Sequence, residues 1–91
     1  MNLAWTSKAL SDLARLHEFL ALANQNAAAR IVRALVAAPV NLLINPPIGE
    51  SLEEFEPREV RRIVVMQYEL RYEIQEQTIY VLRIWHTRED R

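Results

Sequence analysis

The sequence predicts an α+β fold: an N-terminal strand, an antiparallel helical hairpin, then a three-stranded antiparallel meander, with the helices packed on one face of the sheet. Apolar residues recur at helical spacing in the first half of the chain and alternate with polar residues in the second half. Hydrophobic residues make up 51% of the composition, which is sufficient for a packed core. Because 91 residues suit one core, residues 1–91 are expected to form a single domain.

The first half of the chain predicts one short strand and two helices. NLAWT (residues 2–6) alternates apolar and polar residues, and Thr6 or Ser7 then offers an oxygen to cap a helix ending near Ala23. NQN (residues 24–26) suits a tight break, after which residues 27–43 return to helical spacing. Pro39 has no backbone donor, so a kink or break is expected near Ala38.

The second half of the chain predicts a loop and three strands. NPPIGES (residues 45–51) combines paired prolines with the only glycine, which indicates a loop. VRRIVV, YELRYEI and TIYVLRIW are rich in β-branched and aromatic residues, and QEQ separates the last two at hairpin distance. In the middle strand, Leu70 and Tyr72 are expected to face the helices, while Glu69 and Arg71 face away.

Composition excludes several classes of function. The chain has no cysteine and two histidines far apart, so we expect no metal site, and nothing indicates another cofactor. A net charge of −1 argues against general nucleic-acid binding. No apolar run approaches the roughly 20 residues of a membrane helix, and a signal peptide is not recognisable, so a cytoplasmic protein without membrane contact is expected.

The final strand carries the candidate functional residues. Strict alternation places Arg83 between Val81 and Trp85 on the face away from the helices, where a charge needs a carboxylate, a ligand or a partner. Arg71 is expected on the same face. Trp85 could stack on a base, anchor a protein partner or be buried in the core. His86 lies on the opposite parity from Arg83 and is by itself weak support for catalysis.

Three segments resemble the RelE/ParE toxin superfamily of type II toxin–antitoxin modules. They are WTSKALSDLARLHEFLA, VRRIVVMQYELRYEI and LRIWHTRE, and the resemblance covers nearly the whole chain. It implies a small toxin that a cognate antitoxin neutralises by wrapping a flexible tail around it. RelE-like members are implied to be ribosome-dependent mRNA endonucleases, whereas ParE-like members are associated with poisoning DNA gyrase.

The charges favour the ParE-like branch. Glu69 stands where nuclease members tend to carry an essential arginine, and the segment 45–59 is acidic where a ribosome binder should be basic. We therefore expect a gyrase inhibitor. Its expected target-binding residues are Arg83, Trp85, His86, Arg88 and Arg91.

Two alternatives remain open at this point. One is an mRNA endonuclease acting on the ribosome, and the other is a non-toxic protein of the same fold that only binds the antitoxin. The candidate catalytic residues of the nuclease alternative are Arg61, Arg62, Arg71, Arg83 and His86.

Overall fold

The computed structural model describes residues 1–88 and contains five strands and two α-helices in that range. Two short 3-10 helices, Pro46–Ile48 and Glu53–Phe55, lie between the second α-helix and the meander. The elements in chain order are β1 (Asn2–Trp5), α1 (Ser7–Ala23), α2 (Gln25–Leu42), β2 (Glu50–Ser51), β3 (Glu59–Val65), β4 (Tyr68–Gln75) and β5 (Thr78–His86).

Side-chain caps begin both helices, as the sequence predicts. The Thr6 hydroxyl accepts a hydrogen bond from the backbone N–H of Ala9 at 3.1 Å, and the Asn24 amide oxygen accepts one from Ala27 at 3.0 Å. Each cap satisfies a backbone donor that has no partner within the first helical turn. The predicted α1 and α2 are therefore confirmed, with only small differences in their ends.

Pro39 does not break α2. We expected a kink or a break near Ala38; the helix continues to Leu42, so the break is wrong, and the kink stays a prediction. Proline removes one backbone donor, but both Pro39 and Leu42 are buried. Packing of this last turn against the core offsets the lost hydrogen bond.

The five strands form one mixed sheet in the order β1-β5-β4-β3-β2. The antiparallel meander predicted from the sequence is confirmed as β3, β4 and β5. β1 pairs with β5 in parallel, with Leu3 opposite Ile79, and the two-residue β2 extends the other edge. Neither of these two outer pairings was predicted from the sequence.

A β-bulge in β5 changes which side chains share a face. Arg71 pairs with Arg83 and Tyr72 pairs with Val81, so Leu82 is the extra residue. The expectation that Val81 and Trp85 flank Arg83 on one face is therefore wrong. Val81 is fully buried in the core on the helix side, whereas Arg83 shares the opposite face with Arg71.

The core lies between the helical hairpin and one face of the sheet. Leu70 and Tyr72 are buried there, as predicted. The other members of the buried cluster are Ala9, Leu35, Leu42, Tyr68, Ile79, Val81 and Ile84. Within residues 1–88, no helix is both long enough and apolar enough to cross a membrane.

Candidate functional site

Three arginines lie side by side across the face of the sheet opposite the helices. Arg62 on β3 pairs with Arg71 on β4, which pairs with Arg83 on β5. The prediction that Arg71 and Arg83 share this face is confirmed. We call Arg62, Arg71 and Arg83 the arginine row. Like charges at directly opposed positions are destabilising, so the row requires compensating carboxylates.

Glu69 and Glu50 neutralise one side of the arginine row. The Glu69 carboxylate is 1% exposed and accepts hydrogen bonds from Arg62 Nη1 at 3.0 Å and Arg71 Nη2 at 3.1 Å. Glu50 accepts a further hydrogen bond from Arg62 Nε. Hydrogen bonding, first of all to Glu50 and less strongly to Glu69, raises the pKa of Arg62, so its guanidinium remains charged at any physiological pH.

Trp85 lies beneath two members of the arginine row. The guanidinium carbons of Arg71 and Arg83 are 4.8 Å and 5.2 Å from the centroids of the Trp85 rings, within cation–π range. The ring of Phe55, the last residue of the 3-10 helix Glu53–Phe55, has its centroid 5.3 Å from the Arg71 guanidinium carbon. Trp85 is only 8% exposed, so burial, one of the three roles considered for it, is confirmed. The residues that it supports are more accessible than the indole itself.

Asp12 on α1 neutralises the other end of the arginine row. Its carboxylate is 3% exposed and accepts hydrogen bonds from Arg83 Nε at 2.8 Å and Arg83 Nη2 at 3.2 Å. It also accepts hydrogen bonds from Arg15 Nη2 and the backbone N–H of Ile84. Burial of Asp12 raises its pKa, but its bonds to Arg83 and Ile84 and the arginine charges outweigh burial and lower the pKa overall.

His86 lies on the other side of the sheet from the arginine row. It pairs with Tyr68, and the two rings meet edge to face at 5.2 Å. His86 Nδ1 accepts a hydrogen bond from the backbone N–H of Arg88 at 3.0 Å. The ring lines a groove of about 310 Å³ between α1 and the ends of β4 and β5, together with Phe19 and Leu20.

The predicted target-binding residues therefore lie in two places. Arg83 and Trp85 belong to the arginine-row face, whereas His86 lies on the helix side and Arg88 in the turn after β5. Trp85 also lines the groove that His86 lines. Arg91 lies outside the described residues.

The candidate catalytic residues of the nuclease alternative also lie on both faces of the sheet. Arg61 pairs with Tyr72 on the helix side, where it binds Glu59 and the carbonyl oxygens of Pro47 and Gly49. In residues 1–88 there is no group of three or more histidine and carboxylate side chains that could hold a metal ion.

Comparison with solved structures identifies a protein with the same fold. The fold is similar to a chain of the chromosomal ParDE toxin–antitoxin system from P. aeruginosa, with a TM-score of 0.77 and 24% sequence identity. The match covers 94% of this chain and 95% of that chain, so the two share one fold over their length. A comparison with curated proteins gave no match.

The family itself is established by sequence. Residues 3–91 match the family model of the ParE toxin of the type II toxin–antitoxin system parDE. The chain therefore belongs to the ParE toxin family.

Proposed function

We propose that this ParE-family toxin inhibits DNA gyrase by direct binding and that a cognate antitoxin neutralises it. The observation that carries the proposal is the cation–π cluster in which Arg71 and Arg83 are held on Trp85. Arginine is one of the residue types that dominate protein-binding hot spots, and contact with the buried Trp85 ring orders Arg71 and Arg83 before a partner arrives. Gyrase is the partner that resemblance to the ParE-like branch implies.

The charge pairing favours binding over RNA cleavage. Cleavage needs a proton acceptor near the attacked phosphate and cations available for the charge that develops there. Glu69 already accepts hydrogen bonds from Arg62 and Arg71, and its buried carboxylate repels phosphate at that place. His86, the candidate base of the nuclease alternative, lies on the opposite side of the sheet.

The apolar surface of α1 supports an antitoxin partner. Phe19 is 73% exposed and lines the groove beside His86, and Leu22 is 85% exposed one turn later. Large apolar side chains in a groove are typical of sites that bind an apolar peptide face. We infer that the antitoxin covers this groove.

Purified toxin tests the gyrase proposal in a DNA supercoiling assay with the gyrase holoenzyme. Stoichiometric toxin should stop supercoiling, and an equimolar amount of antitoxin should restore it. Unchanged supercoiling at excess toxin would reject gyrase as the target. Codon-positioned cuts in translated transcripts would instead support the nuclease alternative, and expression without growth arrest would support a non-toxic antitoxin-binding protein.

Two matched substitutions test the antitoxin surface. Phe19→Asp places a charge in the groove and should weaken antitoxin binding by about tenfold or more, since aromatic side chains that become buried on binding carry much of the binding free energy. Val64→Asp is the control, because Val64 is 59% exposed on the arginine-row face. Equal affinity of both variants in a titration of antitoxin would remove the groove as the antitoxin site.

A further inference from the structure

β1 covers only part of the edge of β5. Where β1 ends, side chains that follow it, from Thr6 and from α1, bind the backbone of β5 instead. β1 pairs with β5 only from Thr78 to Val81. Beyond that point, the Thr6 hydroxyl lies 2.9 Å from the Val81 carbonyl oxygen, to which it can donate. The Asp12 carboxylate then accepts from the N–H of Ile84 at 2.9 Å. Asp12 thus substitutes for a missing strand and satisfies a buried backbone donor.

The same carboxylate fixes the orientation of Arg83. Arg83 donates one hydrogen bond from Nε to Asp12 Oδ2 and a second from Nη2 to Asp12 Oδ1, which is a bidentate arrangement. Two parallel bonds define the plane of a guanidinium, which one charge–charge contact does not. The fixed guanidinium contacts the Trp85 ring, and Arg71 contacts that ring as well. An arginine ordered in advance loses less conformational entropy when a partner binds.

We infer that Asp12 is a positioning residue of the toxin: through its bidentate contact it orders Arg83 against Trp85 for binding to the target. The inference rests on the proposed gyrase inhibition for its functional half. Arg83 remains 41% exposed while it is held, so it can contact Asp12 and a partner together. Asp12 itself is only 3% exposed, so most of the accessible surface of this pair belongs to Arg83.

The chain offers a matched control for the loss of a buried carboxylate. Glu73 is 4% exposed and accepts two hydrogen bonds from Arg58, an arrangement similar to that of Asp12 and Arg83. Glu73→Gln therefore removes a buried, paired charge without touching Arg83. Asp12→Asn removes a charge but retains an oxygen that can accept the Ile84 N–H.

A second variant reaches the same contact from the other side. Arg83→Lys keeps the positive charge but lacks the planar fork needed for a bidentate bond with Asp12. It leaves the Asp12 side chain in place, so it separates the loss of the contact from the loss of the buried carboxylate.

The experiment compares these variants in the gyrase supercoiling assay, with concentrations expressed as folded toxin. Asp12→Asn and Arg83→Lys should each raise the half-inhibitory concentration about tenfold, and the double variant should be no worse than either alone. Glu73→Gln should stay within about twofold of wild type, as expected when no binding contact is lost. If Asp12→Asn inhibits as well as Glu73→Gln does, Asp12 has only a structural role and the inference is overturned.

An NMR measurement keeps the inference separate from the proposed function. In wild-type toxin the Nε–H signal of Arg83 should be protected from solvent exchange, and in Asp12→Asn that protection should be lost while Arg58 keeps its own. If the wild-type toxin leaves gyrase active but this pattern is found, the proposed function fails and the ordering of Arg83 by Asp12 stands. Unchanged protection of Arg83 in Asp12→Asn overturns the inference whatever gyrase does.

Discussion

Gly49 lies directly against the phenol of Tyr72. The Tyr72 hydroxyl accepts a hydrogen bond from the Gly49 N–H at 3.0 Å and donates one to the Pro46 carbonyl oxygen at 2.6 Å. Burial raises the pKa of Tyr72, more than its hydrogen bond with Gly49 lowers it, so the hydroxyl stays protonated and able to donate. One buried tyrosine thus fixes the loop between α2 and β2 to the middle of the sheet.

Gly49→Ala is expected to destabilise the protein because there is no room for a side chain. A Cβ atom at this position would lie 2.6 Å from the Tyr72 hydroxyl oxygen and 2.7 Å from the Arg62 carbonyl oxygen. Such overpacking costs about 1 to 3 kcal/mol of unfolding free energy. Urea denaturation measures it, with the exposed Ser51→Ala as control. An unchanged denaturation midpoint would mean that the loop does not pack closely on Tyr72.

Leu70→Ala and Leu82→Ala should differ in their cost, although strict alternation along both strands predicts two buried leucines. Leu70 is fully buried in the core, and its truncation should cost about 2 to 5 kcal/mol. Leu82 is the half-buried extra residue of the bulge, so Leu82→Ala should cost clearly less. Thermal unfolding of both variants checks this order. Equal losses would contradict the bulge at Leu82.

The bulge also marks how far the fold could be predicted from sequence. The helices were predictable because the capping residues Thr6 and Asn24 stand directly before segments with clear helical spacing. The meander followed from period-two patterns. The face of Val81 relative to that of Arg83 was not predictable, because an inserted residue leaves no local signal in a strand that is apolar on both faces. The two-residue β2 is too short to show any period.

Acid should destabilise the protein through Asp12 and Glu73. Hydrogen bonding to Arg58 lowers the pKa of Glu73 more than burial raises it, and the pKa of Asp12 is also lowered. A carboxylate with a lowered pKa in the folded state stabilises it fully above its ordinary value, 3.8 for Asp12 and 4.5 for Glu73. That contribution is lost as the pH falls through the lower, folded-state pKa.

The unfolding free energy should therefore decrease steadily as the pH is lowered from about 5 to 2. Urea denaturation at several pH values measures the slope, which should be shallower in Glu73→Gln because one of the two carboxylates is gone. Glu54→Gln, at an exposed residue, should keep the wild-type slope. A Glu73→Gln profile parallel to that of wild type would remove Glu73 from this explanation.

The candidate site was only partly visible in the sequence. Arg83 was expected to need a carboxylate or a partner, because a cation in an apolar strand is costly to bury. The carboxylate, Asp12, lies 71 positions earlier, and no local pattern connects the two. One signal was present: Asp12 comes three residues after Ala9 and four before Leu16, which places an acid on the buried side of α1.

The central claim is that the Arg71–Trp85–Arg83 cluster binds gyrase, and equilibrium binding of the toxin to the gyrase holoenzyme tests it most directly. Wild type and Arg33→Ala, a substitution at an exposed residue of α2, should bind with the same affinity, and Arg83→Lys should bind about tenfold more weakly. Absence of binding by wild-type toxin, or equal affinities for all three proteins, would contradict the account.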